Sequence, residues 1–369
     1  MRALGRILHV TREAVLTGPG AGGLERALEG LSAAQSEAGY DVAVLPVPAR
    51  QLEAAGERAL NGDWEAVAEI GETLLENHEP AILHCHDWYG APVLEAFIRR
   101  GRRAAVITSH LPLRRGFTYR DSGASWTAKN LLETRAFDLS AAIVCPSRHI
   151  VEFLAGEYGV SADRLHRIGH GVDPGRFAHA AEPSAQEGDV KLLAVGRLTE
   201  QKGFELLLRA LPPLRRARPS LKLEIVGEGE REGTLSRLVG QMGLEDCVEL
   251  RPSVDTKTLA GLYSRATLMI MPSLFEPFGL VALEALACGC PVLALAPSGA
   301  EEFLLAEELA PSPSPSRLAL AIERRLEEVT SSGFSREDLR ARALCHGWAE
   351  AARGLGRVYA ACGESLPAC

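Results

Sequence analysis

The sequence lacks most of the signatures that sort a chain quickly. It has no Cys-x-x-Cys pair. Its eight cysteines stand at 85, 145, 247, 288, 290, 345, 362 and 369, and no Cys/His cluster has zinc spacing. No apolar run reaches the ~18 residues of a membrane span. The N-terminal MRALGRILHV lacks the apolar core of roughly 7–15 residues that a signal peptide carries. Positive charge is not in surplus: 40 Lys+Arg against 48 Asp+Glu give a net charge of −8, which argues against a dedicated nucleic-acid binder. These absences lead us to expect a cytoplasmic protein with reduced thiols.

What is present is ordinary globular composition, 46% apolar and 24% charged, over 369 residues. That length suggests about two or three domains. Short apolar runs alternate with longer amphipathic stretches. The runs are RILHV, DVAVLPV, AILHCHD, AAVITSH and AAIVCPS, then KLLAVGR, LKLEIVG, CVELRPS, ATLMIMPS and CPVLALA. They are continuous rather than alternating, as strands buried on both faces should be. The stretches between them read as helices, so the fold class is α/β with parallel sheets and right-handed crossovers. Ten runs are too many for one comfortable sheet, and two doubly wound domains are expected. HAAEPSAQEGDV has no apolar periodicity and reads as the boundary. The expected division is 1–180 for the first Rossmann-like domain, 181–189 for the linker, 190–340 for the second, and 341–369 for C-terminal helices. Ala310–Ser316 reads as a surface loop before a helix.

Ligands of such sheets bind at the carboxyl ends of the strands, so chemistry is sought just after each run. After the first run, TGPGAGGLERAL places Gly22 and Gly23 at a helix start, a natural phosphate site or merely a flexible loop. In ILHCHDWYG, His84 and His86 should point to opposite faces of the strand, which argues against a metal site; they and Asp87 read as polar residues at a strand end facing a cleft, or Asp87 as a cap for the next helix. His110 follows a strand and stands equally well as a functional or a structural histidine. Arg197 follows a strand and Lys202 precedes a helix beginning near Gly203; two cations beside a helix N-terminus suit a diphosphate better than a solvated pair. The runs IRRGRR and LRRG could touch an anionic acceptor or a membrane surface, but such runs are more often solvated helix ends.

MPSLFEPFGLVALEALACG carries Glu276 and Glu284 in an apolar stretch. Charges there are costly unless paired. Glu276 is expected before a helix and Glu284 about two turns down it. If both were helical, eight residues would separate them by about 12 Å and rotate them by about 80°. They could not act as a close carboxylate dyad. Two acceptors spaced along an elongated, hydroxyl-rich ligand fit better, with the N–H groups near Phe278, Gly279 and Leu280 facing its anionic middle.

Taken in order, GGLER, HCHDW, TSH, GHGVDPGRF, VGRLTEQKG, IVGEGER, MPSLFEPFGLVALEALACGCPVLA and SGAEE resemble the retaining, nucleotide-sugar-dependent glycosyltransferases of family 4. The resemblance runs from near residue 8 to about 305. It implies the GT-B fold: two Rossmann-like doubly wound domains facing a central cleft, the first for the acceptor, the second for the nucleotide sugar, with the last helices crossing back. It implies that Arg197 and Lys202 bind the donor diphosphate, Glu276 the donor-sugar hydroxyls and Glu284 the ribose. It also implies that the backbone at Phe278, Gly279 and Leu280 holds sugar and phosphate, and that Gly22 and Gly23 approach the diphosphate. His110 would lie by the donor sugar, and the loop at Val254 by the base. The implied co-substrate is a UDP-sugar first, with GDP- and ADP-sugars as alternatives, and no metal or other cofactor. The implied activity is hexosyl transfer to a hydroxyl of a small molecule, glycan or glycolipid. A glucan- or glycogen-synthase-like enzyme and a non-catalytic nucleotide-sugar-binding regulator are the alternatives. His170 stands where the family commonly has Asn.

Overall fold

The computed structural model describes residues 5–17, 22–115, 124–178, 190–331 and 334–364. All ten apolar runs are strands. The first unit contains β1 (Arg6–Arg12), β2 (Asp41–Val47), β3 (Ile82–His86), β4 (Ala105–Thr108), β5 (Ala142–Cys145) and β6 (Leu165–Arg167). They form one parallel sheet in the order β2-β1-β3-β4-β5-β6. The second unit contains β7 (Lys191–Val195), β8 (Lys222–Val226), β9 (Val248–Arg251), β10 (Leu268–Met271), β11 (Val292–Leu295) and β12 (Leu309–Ala310), ordered β12-β11-β10-β7-β8-β9. The edge strands β6 and β12 lie outside the expected runs, and β12 falls partly in the stretch expected to be loop.

The compact units are Met1–Gly171 with Trp348–Cys369, and Val172–Gly347. The chain thus leaves the first unit at Gly171, ahead of the expected boundary at 180, and re-enters it at Trp348. Within the second unit these two ends lie side by side: Val172 bridges Gly347 in parallel, and its N–H donates to the His346 carbonyl at 2.9 Å. The expected linker 181–189 lies outside the described residues.

Each core follows from sequence spacing. The helix Phe204–Ala217 buries Phe204, Leu207, Leu208, Leu211 and Leu214, one stripe at 3.6-residue spacing, against the second sheet. Burying each such side chain stabilises the fold by about 1.5–3 kcal/mol. The helix Gly23–Glu37 buries Ala27, Leu28, Leu31, Ala34 and Gln35. It shares its core with Ala351, Leu355, Val358 and Tyr359 of the last helix, Trp348–Glu364.

Strand order also sets the site. In each sheet the order reverses at one place: between β1 and β3 in the first, between β7 and β10 in the second. The connections leaving those neighbours diverge, opening a crevice at their carboxyl ends. Register does the rest in the first unit. His9 lies opposite His84 across β1 and β3, and His86 opposite Thr108 across β3 and β4. No described helix is long and apolar enough to cross a membrane.

Candidate active site

In the second unit the loops after β7 and β10 are joined at the reversal point. Gln201 staples them twice. Its carbonyl accepts from the Leu274 N–H at 2.8 Å, and its side-chain amide donates to the Phe275 carbonyl at 2.9 Å. Gly203 makes the approach possible. It sits at φ +66° as the cap of the helix Phe204–Ala217, and a Cβ there would lie 2.0 Å from the Pro272 carbonyl oxygen. Gly203→Ala is therefore expected to cost about 2–4 kcal/mol, combining left-handed strain with a backbone clash. Denaturant unfolding checks this, and an unchanged midpoint would refute it.

With the loops so held, Lys202 and Glu276 meet. Lys202 Nζ lies 2.7 Å from Glu276 Oε2, with the side chains 19% and 7% exposed. The Ser273 hydroxyl donates to the same oxygen at 3.0 Å. The Glu276 carbonyl accepts from Gly299 N–H at 2.7 Å, tying in the loop after β11. Glu276 is thus a paired, oriented carboxylate rather than a stray charge. Arg197 is exposed, and its guanidinium has no hydrogen-bond or ion-pair partner among the described residues.

Gly279 is left-handed at φ +94° and caps the helix Leu280–Ala287, so the buried Phe278–Leu280 segment forms its N-terminus. Glu284 is the fifth residue of that helix, not two turns down it, because the helix begins at Leu280. Its carboxylate is buried and faces the Tyr263 hydroxyl at 3.4 Å. Val254 is half-buried in the loop between β9 and the helix Thr256–Arg265, which Asp255 caps.

In the first unit Gly22 caps the helix Gly23–Glu37 as expected of a helix start, with open space beside it. Its neighbours 18–21 lie outside the described residues. His84 and His86 do not diverge. Residues two apart on a pleated strand share a face, and the two rings lie 4.7 Å apart within 16° of parallel. They join a buried network. His9 Nε2 lies 2.7 Å from Gln35 Oε1, His9 Nδ1 2.8 Å from His86 Nε2, and His86 Nδ1 2.9 Å from His110 Nε2. On the other side, Gln35 Nε2 donates to the Tyr359 hydroxyl at 2.9 Å, Tyr359 lies 2.6 Å from His84 Nδ1, and His84 Nε2 2.7 Å from Thr108 Oγ1. His170 lies against His110 with ring centroids 5.2 Å apart and also faces Trp348.

Burial keeps these rings neutral. It lowers His9 and His170 to about 4 and holds His84, His86 and His110 well below the usual histidine value. His9, His84 and His86 offer nitrogens within 4.8 Å of one another, close enough to suggest a metal group. All six of those nitrogens, however, already have a hydrogen-bond partner, so ligation would first have to dismantle the network.

Asp87 does not serve the helix that follows it. Held at φ +55°, it turns its carboxylate to the loop after β4, accepting from the N–H groups of His110 at 2.6 Å and Leu111 at 3.2 Å. Burial pushes its pKa up to about 7, against the pull of those two donors and Arg12. Glu133 grips the same loop, accepting from Leu113 N–H at 3.1 Å and from the Tyr158 hydroxyl; burial pushes it to about 8. The basic runs are engaged locally: Arg100 pairs with Glu72, Arg102 with Glu79, and Arg114 lies over the Tyr158 ring. Ser273, Gln201, Gln35 and Tyr359 were not foreseen. A polar residue at a core-facing position, such as Gln35 in its helix stripe, was the available signal.

Comparison with known proteins gives the family and the fold. A glycosyltransferase family 4 model matches residues 21–176, and a glycosyl transferases group 1 model matches residues 176–343. A D-inositol 3-phosphate glycosyltransferase of Frankia alni is 30% identical over 306 residues, 76% of this chain and 75% of its own length. An uncharacterized glycosyltransferase of Methanocaldococcus jannaschii is 30% identical over 236 residues; the match spans 60% of this chain and 59% of that relative. Among solved structures, sucrose-phosphate synthase of Thermosynechococcus elongatus superposes with a TM-score of 0.80 at 21% identity, covering 96% of this chain and 98% of that one. Anabaena HepE in complex with UDP-glucose gives 0.75 at 18% identity, covering 97% and 100%. These likenesses establish the GT-B fold. With the sequence matches running across both units, the chain belongs to the group 1, family 4 glycosyltransferases.

Proposed function

We propose that this glycosyltransferase moves a hexose from a nucleotide-diphosphate sugar to an acceptor hydroxyl, with retention at the anomeric carbon. The Lys202–Glu276 pair at the strand-order reversal of the second sheet carries the reading. Glu276 orients Lys202, so the ammonium is preorganised for a diphosphate at the carboxyl end of the sheet. Arg197, whose side chain has no partner among the described residues, supplies a second cation. Together with the N–H groups at Phe278–Leu280 they stabilise the charge that develops as the diphosphate leaves. The remaining carboxylate oxygen of Glu276 accepts from donor-sugar hydroxyls, Glu284 takes the ribose, and the loop at Val254 meets the base. For the first unit the family resemblance adds Gly22 and Gly23 as phosphate-facing groups and His110 as a partner for a sugar hydroxyl.

Retention is proposed from the resemblance to the retaining enzymes of family 4, and the carboxylates bear on its route. Glu276 is engaged by Lys202 and Ser273, and Glu284 is buried within a helix, so neither is offered as a nucleophile. With retention, same-face attack assisted by the leaving phosphate is the proposed route, with no metal invoked. UDP is proposed as the first donor base to test, a choice supported by the UDP-glucose complex of Anabaena HepE, and ADP as an alternative, supported by the ADP complex of Arabidopsis starch synthase IV. GDP is the third to test. The described cysteines are all free thiols, which suits a cytoplasmic location.

Thermal shift against UDP-, ADP- and GDP-sugars tests the donor, because a bound ligand raises the melting temperature by mass action. NMR of the product reads the anomer. No shift with any sugar nucleotide would overturn the donor assignment, and an inverted product would overturn retention.

A further inference from the structure

We infer that Gln35 and Tyr359 are positioning residues that fix His110 as a hydrogen-bond acceptor through Nδ1. Counting protons along the network fixes the direction of every link. Every other member of the network can donate at either end, but an amide has one donor end and one acceptor end. Gln35 Nε2 donates to Tyr359, so Gln35 Oε1 must accept from His9 Nε2–H. A neutral imidazole carries a single N–H. His9 Nδ1 therefore accepts, and the donor to it is His86 Nε2–H. His86 Nδ1 then accepts in turn from His110 Nε2–H. The one proton of His110 is spent inward, and Nδ1 keeps its lone pair, with no partner among the described residues.

The other arm agrees. Having accepted from Gln35, the Tyr359 hydroxyl gives its proton to His84 Nδ1, and His84 Nε2–H donates to Thr108. All the links therefore run in one direction, from His110 through His86, His9, Gln35, Tyr359 and His84 to Thr108. Turning the Gln35 amide over would reverse every link and place the proton of His110 on Nδ1. One amide on one helix, anchored by a tyrosine 324 residues away in sequence, thus decides whether His110 accepts or donates. Burial of the four histidine rings keeps the network neutral, as the proton count requires.

For catalysis the consequence is one of specificity, and it rests on the proposed role of His110 at a sugar hydroxyl. His110 takes a hydrogen bond from an O–H and has none to give, so a deoxy or O-methyl analogue at that hydroxyl should bind poorly.

The test reads the tautomer directly. Long-range 1H–15N spectra of the full-length, 15N-histidine-labelled protein at neutral pH, without substrate, identify His110 by its loss in His110→Asn. The expected result is Nε2–H with a bare Nδ1. Tyr359→Phe frees the amide, and a His110 signal bearing Nδ1–H should appear, with kcat/KM lowered about 3–10-fold. Gln35→Met removes the fixed point and should mix the tautomers in the same way, which keeps the test open if one variant folds poorly. An Nδ1–H or doubly protonated His110 in the unsubstituted protein overturns the inference. So does a His110 signal unchanged in both variants. Because this measurement needs no activity, its failure is distinguishable from failure of the donor assignment.

Discussion

Replacing Lys202 by methionine is expected to lower kcat/KM by about 10²–10³-fold, the scale on which removal of one preorganised charge-stabilising group acts. The same change also has a structural cost. Lys202 holds Glu276, whose carboxylate is largely withdrawn from water, and removing one partner of such a pair leaves the other uncompensated. Because Lys202 is itself partly solvated, the loss in stability should be about 1–3 kcal/mol, below the 3–5 of a fully buried pair. Arg197→Met separates the two effects. Its side chain is exposed and has no partner among the described residues, so stability should stay within about 0.5 kcal/mol while transfer falls. Glu276→Gln keeps an acceptor for Lys202 and Ser273 and should unfold less readily than Lys202→Met. Turnover within threefold of the unsubstituted enzyme in both Lys202→Met and Arg197→Met would sink the diphosphate assignment.

The contrast between those two cations shows what a sequence makes legible. Their order after β7, and the glycine that follows Lys202, were readable because strand, loop and helix N-terminus are local. That Lys202 would bond Glu276 was not readable. The contact spans 74 residues and depends on which strand lies beside β7, a matter of sheet order. Eight of the ten apolar runs are interior strands, where burial on both faces leaves a continuous apolar signature, and the other two, β2 and β9, are edge strands long enough to be read from their apolar content. The edge strands β6 and β12 leave none, being three and two residues long. The same limit hid the histidine network. His9 is one polar residue inside an apolar run, and only the register of β1 on β3 puts it beside His84. His84 and His86 were misplaced for a different reason: alternation sends neighbours, not second neighbours, to opposite faces. The two glutamates that interrupt the apolar stretch now have distinct environments. Glu276 is paired outward to Lys202, and Glu284 lies inside a helix against Tyr263.

Acidification should destabilise the protein steeply below about pH 6.5, and the histidine network is the cause. A histidine whose folded pKa is depressed takes up its proton in the unfolded chain first. Unfolding then binds protons, and stability rises with pH through the window between the two pKa values. For His9 and His170 that window runs from about 4 to 6.5, each contributing about 3 kcal/mol, an order-of-magnitude figure. His84, His86 and His110 shift in the same direction. Asp87 and Glu133 act oppositely. Their folded pKa values are raised to about 7 and about 8, so the stability they contribute is full at low pH and is lost as pH rises toward those values. Between about pH 4.5 and 6.5 the depressed histidines, His346 among them, outnumber the raised carboxyls, Glu224 among them, so unfolding takes up protons. Above pH 6.5 only the carboxyls remain, and stability declines gently. The denaturation midpoint should therefore peak near pH 6.5 and fall more sharply on the acid side than on the alkaline side. A midpoint that stays flat from pH 5 to 6.5 would show that these rings are charged in the folded protein. That outcome would also remove the neutral network on which the tautomer of His110 depends.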